Sequence, residues 1–336
     1  MNVLAVRQDG NGDVLLAGPA IRALANGASR VTLLCGTAGR AAADVLPGID
    51  DVLCWDAGWI SANPEPIALG DLTRFVSDIA SRHVDRAVIF TSFHQSPLPM
   101  ALLLRAAGVP SIAAICEDYP GALLDVRHRG VPDDIHEVER ALSLAEAAGF
   151  PSRDHDRRLA MRIAATSPLV DRRPYVVVHP GATVPARAWS PRANRELVAE
   201  LAARERRVVV TGSTGERDLC AFVAGGDAID LSGETDFATL GRVIADASAI
   251  VVGNTGAAHV AAAVGTPVVS IFAPTIPAAR FRPWMVEHVL LGRQGIACRG
   301  CRARVCPYTD HACVEAIGVH DVLDALAVLR RETATA

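Results

Sequence analysis

Residues 251–272, VVGNTGAAHVAAAVGTPVVSIF, constrain the fold more than any other stretch, because several structural signals follow one another there without a gap. An apolar run over 249–252 stops at Gly253-Asn254-Thr255-Gly256. A small-residue segment of helical composition fills 257–264, and after Gly265-Thr266-Pro267 the β-branched run 268–272 reads as a buried strand. A loop at the carboxyl end of a parallel strand presents free backbone N–H groups and the positive end of a helix dipole, which suits a diphosphate. His259 falls in the first turn and could add a donor. Two other readings compete. The apolar stretch is long enough for a membrane span, but Asn254, His259 and three glycines interrupt it and Pro267 would break it. Alternatively, Asn254 or Thr255 only caps the helix and His259 is a structural histidine.

The rest of the chain repeats the pattern. In the first half, strand-like runs at 3–6, 31–34, 52–55, 87–90 and 111–115 are separated by helical stretches, the first at about 14–25. Segment 118–132 reads poorly as either element and is a candidate substrate loop; 137–149 is helical. A second series has strands at 175–179, 207–211, 229–231, 249–252, 268–272 and 288–291, with helices at 194–204, 216–224, 237–247, 257–264 and 320–331. The Pro- and Arg-rich segment between the series reads as a linker. The expected organisation is therefore an α/β N-terminal domain over 1–166, a linker over 167–174 and a C-terminal domain over 175–336. Each domain has a parallel sheet with ligand loops at the carboxyl ends of its strands, and a cleft between the domains is the expected active site. At 336 residues, two domains of similar size are also the natural expectation.

Composition narrows the partner. Formal charge is −4 and no long basic run with interleaved aromatics occurs, so a small ligand fits better than nucleic acid. All 33 basic residues are arginine. Without lysine, Schiff-base chemistry and a Walker A loop are excluded, and the cation expected on a phosphate is arginine, a planar fork able to bind two oxygens at once. Arg7 and Asp9 fall where a secretory signal would need its apolar core, so the expected location is cytoplasmic, with contact at the inner face of a membrane left open.

Four polar loops follow buried strands. In Gly10-Asn11-Gly12-Asp13, Asp13 either caps the first helix or acts as a general base on an acceptor hydroxyl. The stretch GNGDVLLAG does not supply the dinucleotide fingerprint G-x-G-x-x-G. In loop 179–189, Thr183 can donate to a phosphate oxygen and Arg187 can pair with its charge, while Trp189 packs beneath. In loop 211–216, Glu216 either complements a helix start or accepts from ribose hydroxyls. The fourth loop holds Asn254, Thr255, Gly256 and His259.

The order of these motifs, VLAVRQDGNGDVLLAGPAIRAL, VVVHPGATVPARAWSP, VVTGSTGERD, VVGNTGAAHVAAAVGTPVVSIFAPT and CRGCRARVCPYTDHACVEAI, resembles glycosyltransferase family 9, the ADP-heptose:lipopolysaccharide heptosyltransferase type. The resemblance spans nearly the whole chain, with little of it in 35–171. It implies a GT-B architecture, two Rossmann-like doubly wound domains facing across a cleft, with acceptor bound by the first and nucleotide sugar by the second. It implies Asp13 as catalytic base, Thr183, Arg187, Thr255, Gly256 and His259 on the donor diphosphate, and Glu216 on its ribose. Two positions depart from the family pattern: Arg187 stands where a lysine is usual shortly before the tryptophan, and Asn254 where many members have aspartate. The implied activity is inverting, metal-independent transfer of heptose from ADP-heptose to a hydroxyl of an envelope glycan, glycolipid or natural product. Alternatives are a non-catalytic nucleotide-sugar-binding protein and a GT-B-like sugar epimerase. No cofactor is expected for catalysis. Cys298, Cys301, Cys306 and Cys313, spaced C-x2-C-x4-C-x6-C, could hold a structural zinc or remain free thiols or a redox-labile bridge.

Overall fold

The computed structural model describes residues 1–60, 66–153, 157–167, 169–170 and 173–333. The chain forms two compact units, Met1–Ala160 and Met161–Ala336. Residues 168, 171 and 172 of the expected linker lie outside the described residues. Residues 161–164 pack on the second unit: the Ala164 amide donates to the Ala238 carbonyl, and Met161 and Ile163 lie against Gly241.

The first unit contains β1 (Asn2–Arg7), β2 (Arg30–Cys35), β3 (Asp51–Cys54), β4 (Arg86–Ile89), β5 (Ser111–Ile115) and β6 (Val126–His128) in the spatial order β3-β2-β1-β4-β5-β6. All pairings are parallel; Ala5 lies opposite Leu33 of β2 and Val88 of β4. Because β1 is flanked on both sides and covered on both faces, Val3, Leu4, Ala5 and Val6 are all buried, which is why the strand reads as a continuous apolar run. One face carries Leu4, Val6, Leu34, Ile89 and Ile112 into a core shared with Phe75, Ile79, Met100 and Leu104 of the helices Leu69–Ser81 and Leu98–Ala106. Helices Asn11–Gly27 and Glu137–Ala147 pack against each other in the same unit.

The second unit repeats the plan. Its strands are β7 (Tyr175–His179), β8 (Arg207–Val210), β9 (Ile229–Asp230), β10 (Ala249–Gly253), β11 (Val268–Ile271) and β12 (His288–Leu291), ordered β12-β11-β10-β7-β8-β9. Counted from its own first strand, this unit has the Rossmann order 3-2-1-4-5-6 found in the first. The opening motif of the sequence is β10, the helix Gly256–Val264 and β11. That helix ends at Gly265, whose φ of +83° is a left-handed conformation open to glycine at little cost.

One local expectation changes. Segment 118–132, read as neither helix nor strand, contributes β6, a three-residue edge strand on β5. Its Arg127 side chain reaches back to the Cys116 carbonyl at 3.0 Å, so an arginine and a histidine sit in a strand too short and too exposed to need an apolar pattern. Among the described residues no helix is long and apolar enough to cross a membrane.

Candidate functional site

In a sheet of order 3-2-1-4-5-6 the connections after the first and fourth strands diverge, leaving a crevice at the carboxyl edge. The most polar loops of both units emerge there.

In the first unit the crevice holds a buried charge cluster. Arg7, the last residue of β1, is 3% exposed. Its Nε lies 2.9 Å from Asp9 Oδ2, its Nη2 donates to Asp13 Oδ1 at 3.0 Å and to Ser92 Oγ at 3.0 Å, and its Nη1 is 3.9 Å from Glu137 Oε2. Gln95, beyond β4, holds Asp9 with a 2.6 Å hydrogen bond from its amide nitrogen. One guanidinium thus faces three carboxylates. Burial, reinforced by Asp9 and Glu137 and opposed by Arg7, pushes Asp13 up to about 6. Asp13 sits in the first turn of the helix Asn11–Gly27 but does not cap it: Gly10 occupies the cap position with no side-chain hydrogen bond. A partly exposed carboxylate with a proton affinity near neutrality, held by a buried cation, can accept a proton from a hydroxyl.

The second unit places Thr183 and Arg187 on the loop after β7, Glu216 after β8, and Asn254 to His259 after β10. Gly253 lets two of these loops meet. A Cβ there would lie 2.9 Å from the Arg187 carbonyl oxygen, so the Arg187 loop crosses directly over the end of β10. Beneath that crossing, Asn254 is 6% exposed, and among the described residues neither its Oδ1 nor its Nδ2 has a hydrogen-bond partner; the buried Thr255 Oγ1 has none either. Thr255 occupies the cap position of the helix Gly256–Val264, yet its side chain makes no capping bond. His259 is buried in that helix, and Thr183 is exposed. Polar side-chain atoms left over at a helix N-terminus, where the first backbone N–H groups also lack intrahelical partners, suit an anion with several oxygens.

Glu216 does two things in the structure. Its Oε2 accepts from the Ser213 amide and hydroxyl, both at 2.7 Å, in a capping box, and its carboxylate lies so close to Gly181 that a Cβ there would be 2.0 Å from Oε1. Burial works against the charge on Glu216, but the two Ser213 bonds and His179 outweigh it and lower its proton affinity. His179 is itself lowered by burial, and its Nδ1 lies 3.0 Å from Thr211 Oγ1.

Trp189 is buried, with its Nε1 donating to the Ile317 carbonyl at 3.2 Å, and so packs beneath the loop as expected. The cysteine-rich segment braces the same loop. The Ala186 amide donates to the Arg304 carbonyl at 3.0 Å and the Ala186 carbonyl lies 3.1 Å from His311 Nε2, while the Gly300 and Arg302 amides bond to the Pro274 and Thr275 carbonyls beyond β11. Cys298, Cys301, Cys306 and Cys313 are unbridged, and Cys313 is pushed up by burial and by the other three. Among the described residues no three His, Cys, Asp or Glu side chains are grouped so as to hold a metal ion.

Sequence reasoning singled out Asp13 and missed its surroundings: Arg7, Asp9, Ser92, Gln95 and Glu137. The one available signal was a charged residue, Arg7, closing an otherwise apolar buried strand.

The profile of the family described as glycosyltransferase family 9 (heptosyltransferase) matches residues 92–311. The structure is similar to Escherichia coli ADP-heptose LPS heptosyltransferase II, with a TM-score of 0.76 and 20% identity over 99% of this chain and 100% of that one. It is similar to a family 9 glycosyl transferase from Veillonella parvula DSM 2008 (TM-score 0.77, 14% identity, 98% and 97% covered). It is also similar to E. coli heptosyltransferase WaaC with ADP-2-deoxy-2-fluoro heptose (TM-score 0.72, 16% identity, 98% and 99% covered). A search of curated protein sequences gave no match.

Proposed function

The chain belongs to glycosyltransferase family 9, and from that premise we propose that it is an inverting, metal-independent enzyme that transfers heptose from ADP-heptose to a hydroxyl of an envelope glycan, glycolipid or natural product. The observation that carries the donor half is the set of buried, unpartnered polar atoms of Asn254 and Thr255 at the N-terminus of the helix Gly256–Val264, under the Arg187 loop. A diphosphate supplies the oxygens those groups call for. The E. coli structure in complex with an ADP-heptose analogue supports ADP-heptose as the first donor to test.

In this reading Thr183, Arg187, Thr255, Gly256 and His259 hold the diphosphate, Asn254 touches the sugar or orients the loop, and the free edge of Glu216 accepts from the ribose. Asp13 takes the proton of the acceptor hydroxyl as its oxygen attacks the anomeric carbon; the bond to the diphosphate breaks on the opposite side. The negative charge that develops on the leaving group is met by backbone N–H groups, Arg187 and His259. Asp13, at about 6, is ionised at neutral pH yet basic enough to share a proton in the transition state. That base distinguishes an enzyme from a silent nucleotide-sugar-binding protein.

A thermal-shift panel of ADP-, GDP-, UDP- and dTDP-sugars tests the donor. ADP-heptose should give the largest shift; a larger shift with a GDP- or UDP-sugar would replace the donor assignment. Product anomeric configuration by NMR tests inversion, and a retained configuration would sink the single-displacement mechanism.

A further inference from the structure

At the carboxyl end of β3 the chain leaves the first sheet through Trp55 and Asp56 and borders a cavity of about 470 Å³. The volume is that of a small-ligand site. One wall is aromatic: Trp55 stacks on Phe75 with ring centroids 4.2 Å apart and planes at 25°. Trp59, outside the lining, leans on Trp55 at 5.7 Å. Both tryptophans are only partly buried. Among the described residues the polar lining is Asp56, Asp71, Asp78 and Arg74. Arg74 is already paired with Asp71. Asp78 pairs with Arg82 at 3.3 Å, and Asp56 accepts from the Thr37 amide at 2.8 Å and from the Thr37 hydroxyl, leaving lone pairs to spare.

The cavity adjoins the loop that carries the base. Gln8 Oε1, one residue before Asp9, accepts from the Ala57 amide at 3.2 Å. A Cβ on Gly36 would lie 2.9 Å from Asp56 Oδ1 and 3.2 Å from the Gln8 carbonyl, and one on Gly39 would lie 2.8 Å from the Asp9 carbonyl. The loops after β1, β2 and β3 are therefore knitted into one surface, with Asp13 toward one end and Asp56 and Trp55 at the other.

We propose that this cavity is an acceptor subsite for an unphosphorylated sugar residue bearing hydroxyl or amino donors, its ring lying against Trp55 and its donors reaching Asp56 and Asp78. The inference rests on the glycosyltransferase reading and adds the chemical class of the acceptor. A pyranose offers C–H groups on one face, which an indole covers well, and a rim of O–H or N–H donors, which carboxylates accept. A phosphate would meet the carboxylate of Asp56 and, among the described lining residues, find Arg74 already engaged by Asp71. An amino sugar gains most, since its ammonium answers Asp56, whose partner among the described residues is the neutral Thr37.

The test is a titration of intrinsic tryptophan fluorescence of the full chain with a glucosamine trisaccharide, a glucose trisaccharide and glucose 6-phosphate. The expected result is quenching by both trisaccharides, tighter for the amino sugar and weakened by salt, with glucose 6-phosphate at least about tenfold weaker. Trp55→Ala and Asp56→Asn should each lower trisaccharide affinity about tenfold or more, while Trp55→Phe retains most of it and all three variants keep the thermal shift produced by ADP. Absence of trisaccharide binding, or glucose 6-phosphate binding as tightly, overturns the subsite. If ADP shifts the melting temperature in that same experiment the donor reading stands, and if it does not the donor reading fails on its own account.

Discussion

Asp13 owes its chemistry to a guanidinium that it must share. Arg7 is buried among Asp9, Asp13 and Glu137, so three carboxylates share its guanidinium and Asp13, the most exposed of them, holds its proton up to about pH 6. Because Asp13 must be ionised to act as the base proposed above, kcat/KM should fall about tenfold per pH unit below that value and level off above it. Glu137→Gln removes a like charge and should move this limb to lower pH; a limb that stays in place would show that Glu137 does not act on Asp13. Asp13→Asn should reduce transfer by about 10²–10⁴-fold with ADP affinity unchanged, and retained turnover would remove Asp13 as the base. The same shift has a cost in stability. The folded chain binds the Asp13 proton more tightly than the unfolded chain, whose value is near 3.8, so stability falls as pH rises from about 4 to about 6 and stays lowered above. Asp13→Asn should accordingly raise the melting temperature more at pH 8 than at pH 5. Asp13 was legible in the sequence because it stands at a glycine-rich turn after an apolar run. Its neighbour Glu137 was not: the two meet only after the helices Asn11–Gly27 and Glu137–Ala147 pack against each other, a contact that no local pattern encodes.

At the scale of elements, the proposed donor loops depend on backbone approach as much as on side chains. Gly253 admits the Arg187 carbonyl and Gly181 admits the Glu216 carboxylate, at distances no Cβ would allow. Gly253→Ala should displace the Arg187 loop and weaken ADP binding about tenfold, measured by calorimetry, with little effect on sugar binding near Trp55. Unchanged ADP affinity would mean that the crossing of these loops is incidental. The βαβ order was readable because each central strand is an uninterrupted apolar run ended by glycine or a polar loop, and the Gly265 stop after the helix Gly256–Val264 was visible as a Gly-Thr-Pro sequence. One edge strand was harder. β6 carries arginine and histidine and lacks the burial that writes a pattern into sequence, whereas β9, only two residues long, was read within 229–231. The bracing of Ala186 by Arg304 and His311 was also invisible, since it uses the Ala186 backbone and joins positions over a hundred residues apart.

At the scale of the whole molecule, the proposed function gives the two units different tasks on one topology. ADP at about a hundred times its Kd should stabilise the unit that binds it by about 2.7 kcal/mol and leave the other where it was. Calorimetry of the full chain should then show one unfolding transition moved and one unmoved; a uniform shift of both would show that the units unfold together. The two-unit plan was legible from length and from the doubled βα series, whereas the shared strand order required the sheets themselves. That order has an evolutionary corollary. Loops at the carboxyl edge of β1, β2 and β3 can be rewritten without touching those of β7, β8 and β10, so on the proposed assignment a lineage can change what receives the sugar while keeping what delivers it. A laboratory graft confined to residues 36–78 should be able to repeat that step.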